Sequence, residues 1–296
     1  MSTTLTSWNV NGITLSGVQA GEGDLVLLLH GFPAYHKTWE RYLEPLSQGY
    51  RVVAVDMRGY NKSSKPSGVD SYHLRTLVED LVALTAQLGY SKVRVVGHDW
   101  GGAVAWAFAA WYPDLVSHVA VYNCPHPSAL LYHMRNNFRQ TRRSWYIFFF
   151  QLPWLPEFLI RHFSRQCIGA AFAARRGTFS PDDLEQYRQA LLQPGVLTAT
   201  LNYYRSIFRS SLAPMELPKI TSPALLIWGE RDFALGTELA DVTPRYLTGP
   251  YTRRSYPKNS HWSVNELVEE TVPLLEEFFQ HPTATVEPNE PSKEEV

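Results

Sequence analysis

The 296-residue sequence predicts an α/β protein with a mostly parallel, doubly wound β-sheet and an inserted helical domain. Three features support this prediction. Short apolar runs alternate with helical patterns, which is typical of strands joined by crossover helices. The alternation stops in the middle of the chain, and a glycine-rich turn follows one of the runs. Continuous apolar runs indicate strands that are covered on both faces, as in a parallel sheet.

The predicted elements follow along the chain. Alternating residues around Asn11-Gly12 predict a hairpin over residues 7–18, because this dipeptide favours a two-residue turn. Leucines at 77, 81, 84 and 88 share one helical face, and Gly89 can end that helix. The remaining elements are predicted as strands over 25–30, 51–56, 93–98, 116–122, 224–229 and 252–256, and as a terminal helix over 267–279.

These elements divide the chain into four parts. We expect residues 1–124 and 222–281 to form the sheet domain. Residues 125–221 are expected to form a helical cap over the sheet, because strand patterns are replaced there by helical ones rich in aromatic residues and arginine. Residues 282–296 are rich in Pro, Glu and Lys without an apolar pattern, which predicts a disordered tail.

Composition excludes several classes of protein. A net charge of −1 argues against nucleic acid as the main partner, and 45% hydrophobic residues are enough for a large core. Two cysteines are too few for a disulfide framework. The pattern of a signal peptide and an apolar run of about 20 residues are both missing. We therefore expect a cytoplasmic protein without a transmembrane segment, and the sequence leaves its oligomeric state open.

The most informative motif is Gly97-His98-Asp99-Trp100-Gly101-Gly102, which follows an apolar run. Such a turn between strand and helix exposes its central side chain at the edge of the sheet, and serine usually occupies that position. Aspartate changes the chemistry. When a carboxylate attacks a saturated carbon it forms an ester that water can cleave, whereas serine would form a stable ether. Asp99 is thus predicted to attack alkyl substrates such as epoxides or haloalkanes, although it could instead simply cap the next helix.

Two other residues complete a catalytic triad in the prediction. Asp232 and His261 each follow a predicted strand, so both can reach the sheet edge that carries Asp99. The order nucleophile, acid, histidine is that of a known hydrolase arrangement. The turn His30-Gly31-Phe32-Pro33 also follows a strand, and it can direct the Phe32 amide into the site. Together with the Trp100 amide, this N–H would form an oxyanion hole.

Together these motifs and Asp56-Met57-Arg58-Gly59-Tyr60 resemble those of α/β-hydrolase-fold epoxide hydrolases of the soluble type, from about Trp8 to Phe279. Some haloalkane dehalogenases share the turn around Asp99. The resemblance implies the α/β-hydrolase fold with a cap domain, and a cis peptide bond before Pro33. It also implies two tyrosines that assist ring opening. They fall on Tyr146, in the segment from Trp145 to Gln151, and on Tyr204, in Asn202-Tyr203-Tyr204-Arg205.

Paired phenols suit an epoxide as substrate. Ring opening leaves a strongly basic alkoxide, and a phenol with a pKa of about 10 remains protonated at neutral pH and can donate to it. A halide leaving group needs no proton. Tyr203 is a second hydroxyl beside Tyr204, so the sequence leaves open which of the two is the donor.

The sequence therefore supports an epoxide hydrolase that uses no cofactor and no metal, and converts a lipophilic epoxide and water into a vicinal diol. The alternative is a haloalkane or haloacid dehalogenase with the same nucleophile, which would need a second halide-binding donor besides Trp100. A third hypothesis is a ligand-binding protein without activity on the same fold.

A basic surface is also predicted in the cap. Arg135, Arg139, Arg142 and Arg143 fall on one helical face. We favour a solvated face paired with Asp182, Asp183 and Glu185. Contact with an anionic membrane surface is the alternative.

Overall fold

The computed structural model describes residues 3–209 and 217–280. Within these ranges eight strands form one sheet, with bounds β1 (Thr4–Val10), β2 (Ile13–Ala20), β3 (Asp24–Leu29), β4 (Tyr50–Asp56), β5 (Val93–His98), β6 (Val116–Tyr122), β7 (Ala224–Gly229) and β8 (Tyr251–Tyr256). Their order across the sheet is β1-β2-β4-β3-β5-β6-β7-β8. The predicted strands are all present. The bounds of the parallel strands differ by at most one residue from the prediction, whereas the hairpin predicted over 7–18 extends from residue 4 to residue 20.

The sheet is antiparallel only at its N-terminal edge. β1 and β2 form the predicted hairpin, with Asn11 and Gly12 at positive φ angles of 47° and 75°. β2 also pairs antiparallel with β4, and every pair from β4 to β8 is parallel. The central strand β3 is fully buried over Leu25–Leu29, so both of its faces must be covered by helices. Such burial is typical of parallel strands, because their crossover helices lie on the faces of the sheet.

Helices cover both faces of the sheet. They are α1 (Glu40–Leu46), α2 (Leu74–Gln87), α3 (Trp100–Trp111), α4 (Pro127–Asn136), α5 (Phe138–Arg143), α6 (Trp145–Phe149), α7 (Leu155–His162), α8 (Ser164–Ala171), α9 (Pro181–Leu192), α10 (Val196–Ser206), α11 (Thr237–Val242), α12 (Ser263–Glu266) and α13 (Val268–Gln280). One apolar cluster contains Leu27 and residues of α2 and α3. The other contains Leu28 and residues of α1 and α13. Successive strand residues thus belong to different cores.

The chain between β6 and β7 is helical in its described part. Helices α4 to α10 fall there, and we call residues 125–209 the helical segment. Its side chains Tyr187, Leu191, Leu197 and Leu201 belong to the same apolar cluster as α1 and α13. The segment is therefore packed onto the sheet domain. The tail predicted for residues 282–296 lies outside the described residues.

The prediction of one basic helical face paired with acidic residues is wrong. The Asn137 side chain accepts hydrogen bonds from the backbone N–H groups of Arg139 and Gln140, and so starts a new helix. Arg135 consequently lies on α4, and the other three arginines on α5. The acidic residues have other partners, because Asp183 pairs with Lys37 and Glu185 with Arg188.

Candidate active site

Asp99 occupies the sharp turn between β5 and α3, with φ 52° and ψ −121°. A non-glycine residue rarely adopts a positive φ, and such strain is typical of functional sites. The turn is possible because its neighbours lack side chains. A Cβ atom on Gly97 would collide with the carbonyl oxygen of Gly101, and one on Gly31 would collide with Asp99 itself. The side chain of Asp99 remains 17% exposed.

Two backbone amides point at the Asp99 carboxylate. The Phe32 N–H donates to Oδ1 over 2.8 Å, and the Trp100 N–H, at the start of α3, favours the charged carboxylate. Burial raises the pKa of Asp99, while His261 and these two amides oppose the rise. These are the two N–H groups that the sequence predicts as oxyanion donors. Both face the Asp99 carboxyl group. If Asp99 became an ester, water would attack the carbonyl carbon of that group.

His30 and Pro33 shape the loop that carries the Phe32 amide. The His30 ring accepts from the Met57 N–H at Nε2 over 3.1 Å, so its Nδ1–H donates to the Gly31 carbonyl over 3.0 Å. Burial lowers the pKa of His30 to about 4, and the ring is neutral. The peptide bond between Phe32 and Pro33 is cis. Both residues support the amide and make no direct hydrogen bond to Asp99 among the described contacts.

His261 lies between the two acids. Its Nδ1–H donates to Asp232 Oδ2 over 2.7 Å, and its Nε2 lies 3.8 Å from Asp99 Oδ2. Burial opposes the charged ring, but the Asp232 and Asp99 carboxylates outweigh burial and raise the pKa of His261 to about 9. At neutral pH the His261 ring of the unmodified site is therefore an imidazolium.

Asn123 is a residue of this site that sequence reasoning missed. It follows β6 with φ 41°, and its side-chain N–H donates to Asp232 Oδ2 over 2.9 Å. The same side chain bonds both backbone groups of Gly229 and accepts from Ser263. The available signal was its place directly after a buried strand, since the carboxyl ends of parallel strands meet at one sheet edge.

Gln140 was missed as well. This fully buried side chain on α5 donates to the Ala234 carbonyl over 2.9 Å and accepts from the Gly236 N–H over 3.0 Å. The N–H groups of Ala234 and Leu235 donate in turn to Asp232 Oδ1. Gln140 thereby ties the helical segment to the loop that orients the acid.

The structure places Tyr204 and Tyr203 in different environments. Tyr203 donates its hydroxyl to the Arg58 carbonyl over 2.6 Å and is fully buried. The Tyr204 ring lies 5.8 Å from that of Tyr146 and packs edge-on against the Trp100 indole. Burial and the Asp99 carboxylate raise the pKa values of both Tyr146 and Tyr204 above the usual range. These two phenols are therefore protonated at neutral pH, and both feel the charge of Asp99.

The walls around these groups are aromatic. Tyr204 makes edge contacts with Phe32, Phe150 and Trp100 at centroid distances of 5.6, 5.0 and 5.2 Å. Phe233 is 52% exposed and its ring lies 6.1 Å from that of His261. The surroundings of Asp99 therefore suit an apolar molecule with few polar groups.

Comparisons with known proteins agree with this fold. Residues 24–264 match the protein family described as alpha/beta hydrolase fold. Epoxide hydrolase 4 of Mus musculus is 38% identical over 263 residues, which cover 85% of this chain and 72% of the relative. The AB hydrolase superfamily protein YfhM of Bacillus subtilis (strain 168) is 39% identical, with coverage of 92% and 96%.

Solved structures point to the same group. The crystal structure of the Bacillus megaterium epoxide hydrolase in complex with an inhibitor superimposes with a TM-score of 0.84 at 32% identity, covering 93% of this chain and all of that one. The epoxide hydrolase VrEH1 from Vigna radiata gives a TM-score of 0.79 at 26% identity, with coverage of 94% and 98%. The chain belongs to the α/β-hydrolase fold family and, within it, to the epoxide hydrolases. The resemblance inferred from the motifs is confirmed.

Proposed function

We propose that this protein hydrolyses lipophilic epoxides to vicinal diols through a covalent ester on Asp99. The observation that carries the proposal is the position of the Asp99 carboxylate, which has two amide donors on it and the phenols of Tyr146 and Tyr204 nearby. An aspartate in this turn suits alkyl transfer, and the relatives with matching chains are named epoxide hydrolases.

Ring opening is the first step. Asp99 attacks the less hindered epoxide carbon while Tyr146 and Tyr204 bind the epoxide oxygen. One phenol passes its proton to the alkoxide that forms. Its acidity rises during this step, because the Asp99 charge that raised its pKa is consumed in the new ester bond.

The same loss of charge activates His261. The Asp99 carboxylate is one of the groups that raise the pKa of His261 to about 9, so alkylation of Asp99 lowers that pKa. His261 can then return a proton to the phenolate and become the neutral base that hydrolysis needs. Asp232 keeps the ring oriented through Nδ1.

Hydrolysis is the second step. The neutral Nε2 of His261 takes a proton from water, and the hydroxide adds to the carbonyl carbon of the ester. The Phe32 and Trp100 amides stabilise the tetrahedral oxyanion, and each such donor is worth about 2.7–4 kcal/mol of barrier. Collapse of this intermediate breaks the ester C–O bond, and the departing alkoxide takes the proton of the added hydroxyl group. The diol leaves, and the imidazolium and the free carboxylate are restored.

We also propose that residues 125–221 act as a cap domain on a sheet domain made of residues 1–124 and 222–281. Tyr146 on α6 and Tyr204 on α10 come from the helical segment, while the triad comes from the sheet edge. The aromatic walls favour lipophilic epoxides. The free cysteines Cys124 and Cys167 are compatible with a reducing compartment such as the cytoplasm.

The dehalogenase alternative is less well supported. Halide binding would need N–H donors aimed at the leaving group, and the Trp100 indole packs edge-on against the Tyr204 ring. A panel of bromoalkanes tests this alternative. Halide release without epoxide turnover would favour the dehalogenase, and ligand binding without either reaction would favour a protein without activity.

Isotope labelling tests the covalent step. After turnover in H₂¹⁸O, mass spectrometry should find the label in the carboxylate of Asp99, because water attacks the carbonyl carbon of the ester. Asp99→Ala should be inactive, and His261→Gln should accumulate the ester. An unlabelled Asp99 after repeated turnovers, or normal activity of the Ala variant, would overturn the proposal.

A matched pair of variants tests the tyrosine assignment. Tyr204→Phe should slow ester formation by about 10²-fold, since it removes a donor to the developing alkoxide. Tyr203→Phe removes a hydroxyl that is bound to the Arg58 carbonyl, so it should lower stability with little change in the rate of ester formation. Equal slowing by both variants would contradict the assignment.

A further inference from the structure

Exposed large apolar side chains are concentrated in the helical segment. Among the described residues, five such side chains between 145 and 158 form what we call the aromatic face: Trp145 (63% exposed), Phe148 (44%), Leu152 (44%), Trp154 (69%) and Phe158 (56%). Single exposed apolar residues need no explanation, but a cluster of this kind marks a contact surface.

The aromatic face is held in place by specific contacts. The Phe148 ring lies 5.6 Å from that of Phe208 beyond α10. Arg205 donates to the carbonyl groups of Phe150 and Leu152 and forms an ion pair with Glu157 on α7. The chain from α6 to α7 is thereby fixed against α10.

Trp154 gives a separate indication. Its φ of 52° lies in the left-handed region, which a bulky aromatic residue rarely adopts. Its side chain is nevertheless the most exposed of the tryptophan side chains among the described residues. Because the exposed ring packs little against the protein, few contacts offset the backbone strain. This combination suits a side chain that binds a partner outside the protein.

The stretch of chain that carries this face is rich in arginine. Six arginines lie between residues 135 and 165, where the acidic residue is Glu157, already paired with Arg205. None of the six is in an ion pair among the described residues. They are Arg135, Arg139, Arg142, Arg143, Arg161 and Arg165. The whole chain, by contrast, has a net charge of −1.

We propose that the aromatic face and these arginines bind the surface of an anionic lipid bilayer. Aromatic side chains that enter the headgroup region, flanked by Arg that attracts anionic lipids, are the features of proteins that lie on a membrane without crossing it. Consistently, within the described ranges each helix is too short or too polar to span a bilayer. A second copy of this chain fits less well, because a two-fold contact would bring the same unpaired arginines together.

The position of this surface gives it a role beyond anchoring. Trp145 and Phe148 are on the outer side of α6, and Tyr146, between them, packs against the cores of the sheet domain near Asp99. A bilayer bound at α6 would bring lipophilic molecules dissolved in it close to the proposed active site. Binding itself is measured without an epoxide, so it is tested independently of the proposed activity.

The test uses the full-length protein and sedimentation with vesicles of phosphatidylcholine, with or without phosphatidylserine. We expect binding only when phosphatidylserine is present, and release at 1 M salt, where the screening length falls to about 3 Å. Arg142→Gln/Arg143→Gln should lower the partition coefficient roughly fivefold for each arginine. Trp154→Ser should lower it about tenfold.

Two exposed positions elsewhere serve as matched controls. Lys92→Gln removes a cation, and Leu5→Ser removes an exposed apolar side chain. Both positions are distant in sequence from the aromatic face, so both variants should bind vesicles as the wild type does. Failure to bind anionic vesicles at low salt would overturn the proposal. So would equal binding to neutral vesicles, or equal effects of control and face variants. A concentration-dependent increase in mass that Trp154→Ser abolishes, without vesicle binding, would show that a second copy is the occupant.

Discussion

At the scale of single residues, Asn123 joins the loops that carry the acid and the histidine. Its amide bonds Asp232 and the backbone of Gly229, and its oxygen accepts from Ser263, two residues beyond His261. Its positive φ of 41° suits asparagine, which tolerates the left-handed region better than most residues. One buried side chain therefore sets the positions of two elements of the triad.

Substitution of Asn123 should slow ester hydrolysis more than ester formation. Asn123→Gly keeps the backbone free of strain and removes the hydrogen bonds, so we expect hydrolysis to be 10- to 100-fold slower, roughly what a misplaced catalytic group costs. Unfolding by urea should show a loss of about 1–3 kcal/mol for the unsatisfied partners. Asn123→Ala should lose more stability, because alanine is strained at this φ. Unchanged single-turnover rates in both variants would contradict this role.

The raised pKa of His261 links stability to pH. The folded-state pKa of about 9 lies above the unfolded value of 6.5, so the stabilisation is complete below pH 6.5 and is lost as pH rises towards 9. A difference of this size corresponds to about 3 kcal/mol. The difference in the free energy of unfolding between the wild type and His261→Gln should therefore favour the wild type more below pH 6.5 than above pH 9. A difference that is independent of pH would contradict it.

The residues also show what the sequence could and could not reveal. Asp99 was recognisable because the glycines around it are required by the turn, and Asp232 and His261 because each follows a strand. Tyr203 and Tyr204 were indistinguishable, since adjacent positions on a helix differ by about 100° in direction and only the packing of α10 decides which side faces Asp99. Asn123 could have been noticed from its place after a strand, but its partners, like those of Gln140, lie in distant parts of the chain and no local pattern reveals them.

At the scale of elements, α5 is connected to the acid loop through Gln140. The Gln140 side chain bonds Ala234 and Gly236, which flank the N–H groups that bind Asp232. Gln140→Leu leaves a buried N–H and a buried carbonyl without partners, so we expect a loss of about 1–3 kcal/mol of stability. A several-fold decrease in kcat should accompany it, measured with an epoxide that saturates the wild type.

Ser144→Ala is the matched control for this link. Ser144 accepts from the same Gln140 amide over 2.9 Å, yet none of its described contacts reaches the acid loop. Its loss should leave kcat close to that of the wild type. If Gln140→Leu and Ser144→Ala lowered kcat equally, the link to Asp232 would not be the cause.

The elements also differ in how well the sequence predicted them. Strands such as β3 were predicted within about a residue, because burial on both faces requires a continuous apolar run. The division between α4 and α5 was missed, because it depends on the Asn137 side chain capping a new helix within a stretch that has a continuous helical pattern. That single cap changed which arginines share a face.

At the scale of the whole molecule, the helical segment and the sheet domain share one core. Phe172, at the end of α8, stacks on Trp262 at 4.2 Å and on Tyr187 at 4.3 Å. The Trp262 indole donates to the Ala171 carbonyl over 2.8 Å, and Trp262 follows His261 in sequence. The packing of the segment therefore supports the loop that carries the histidine, and the two parts should unfold together.

Phe172→Ala tests this cooperation. Removal of a buried phenylalanine costs about 3–5 kcal/mol, which for a chain of this size lowers the Tm by about 6–20 °C. Because the lost contacts connect both parts, calorimetry should show one transition shifted as a whole, with no early transition of the segment alone. Phe163→Ala, at a position 45% exposed in the same segment, should shift the Tm little. Two separate transitions in the Phe172 variant would mean that the segment folds independently and that His261 is positioned by the sheet domain alone.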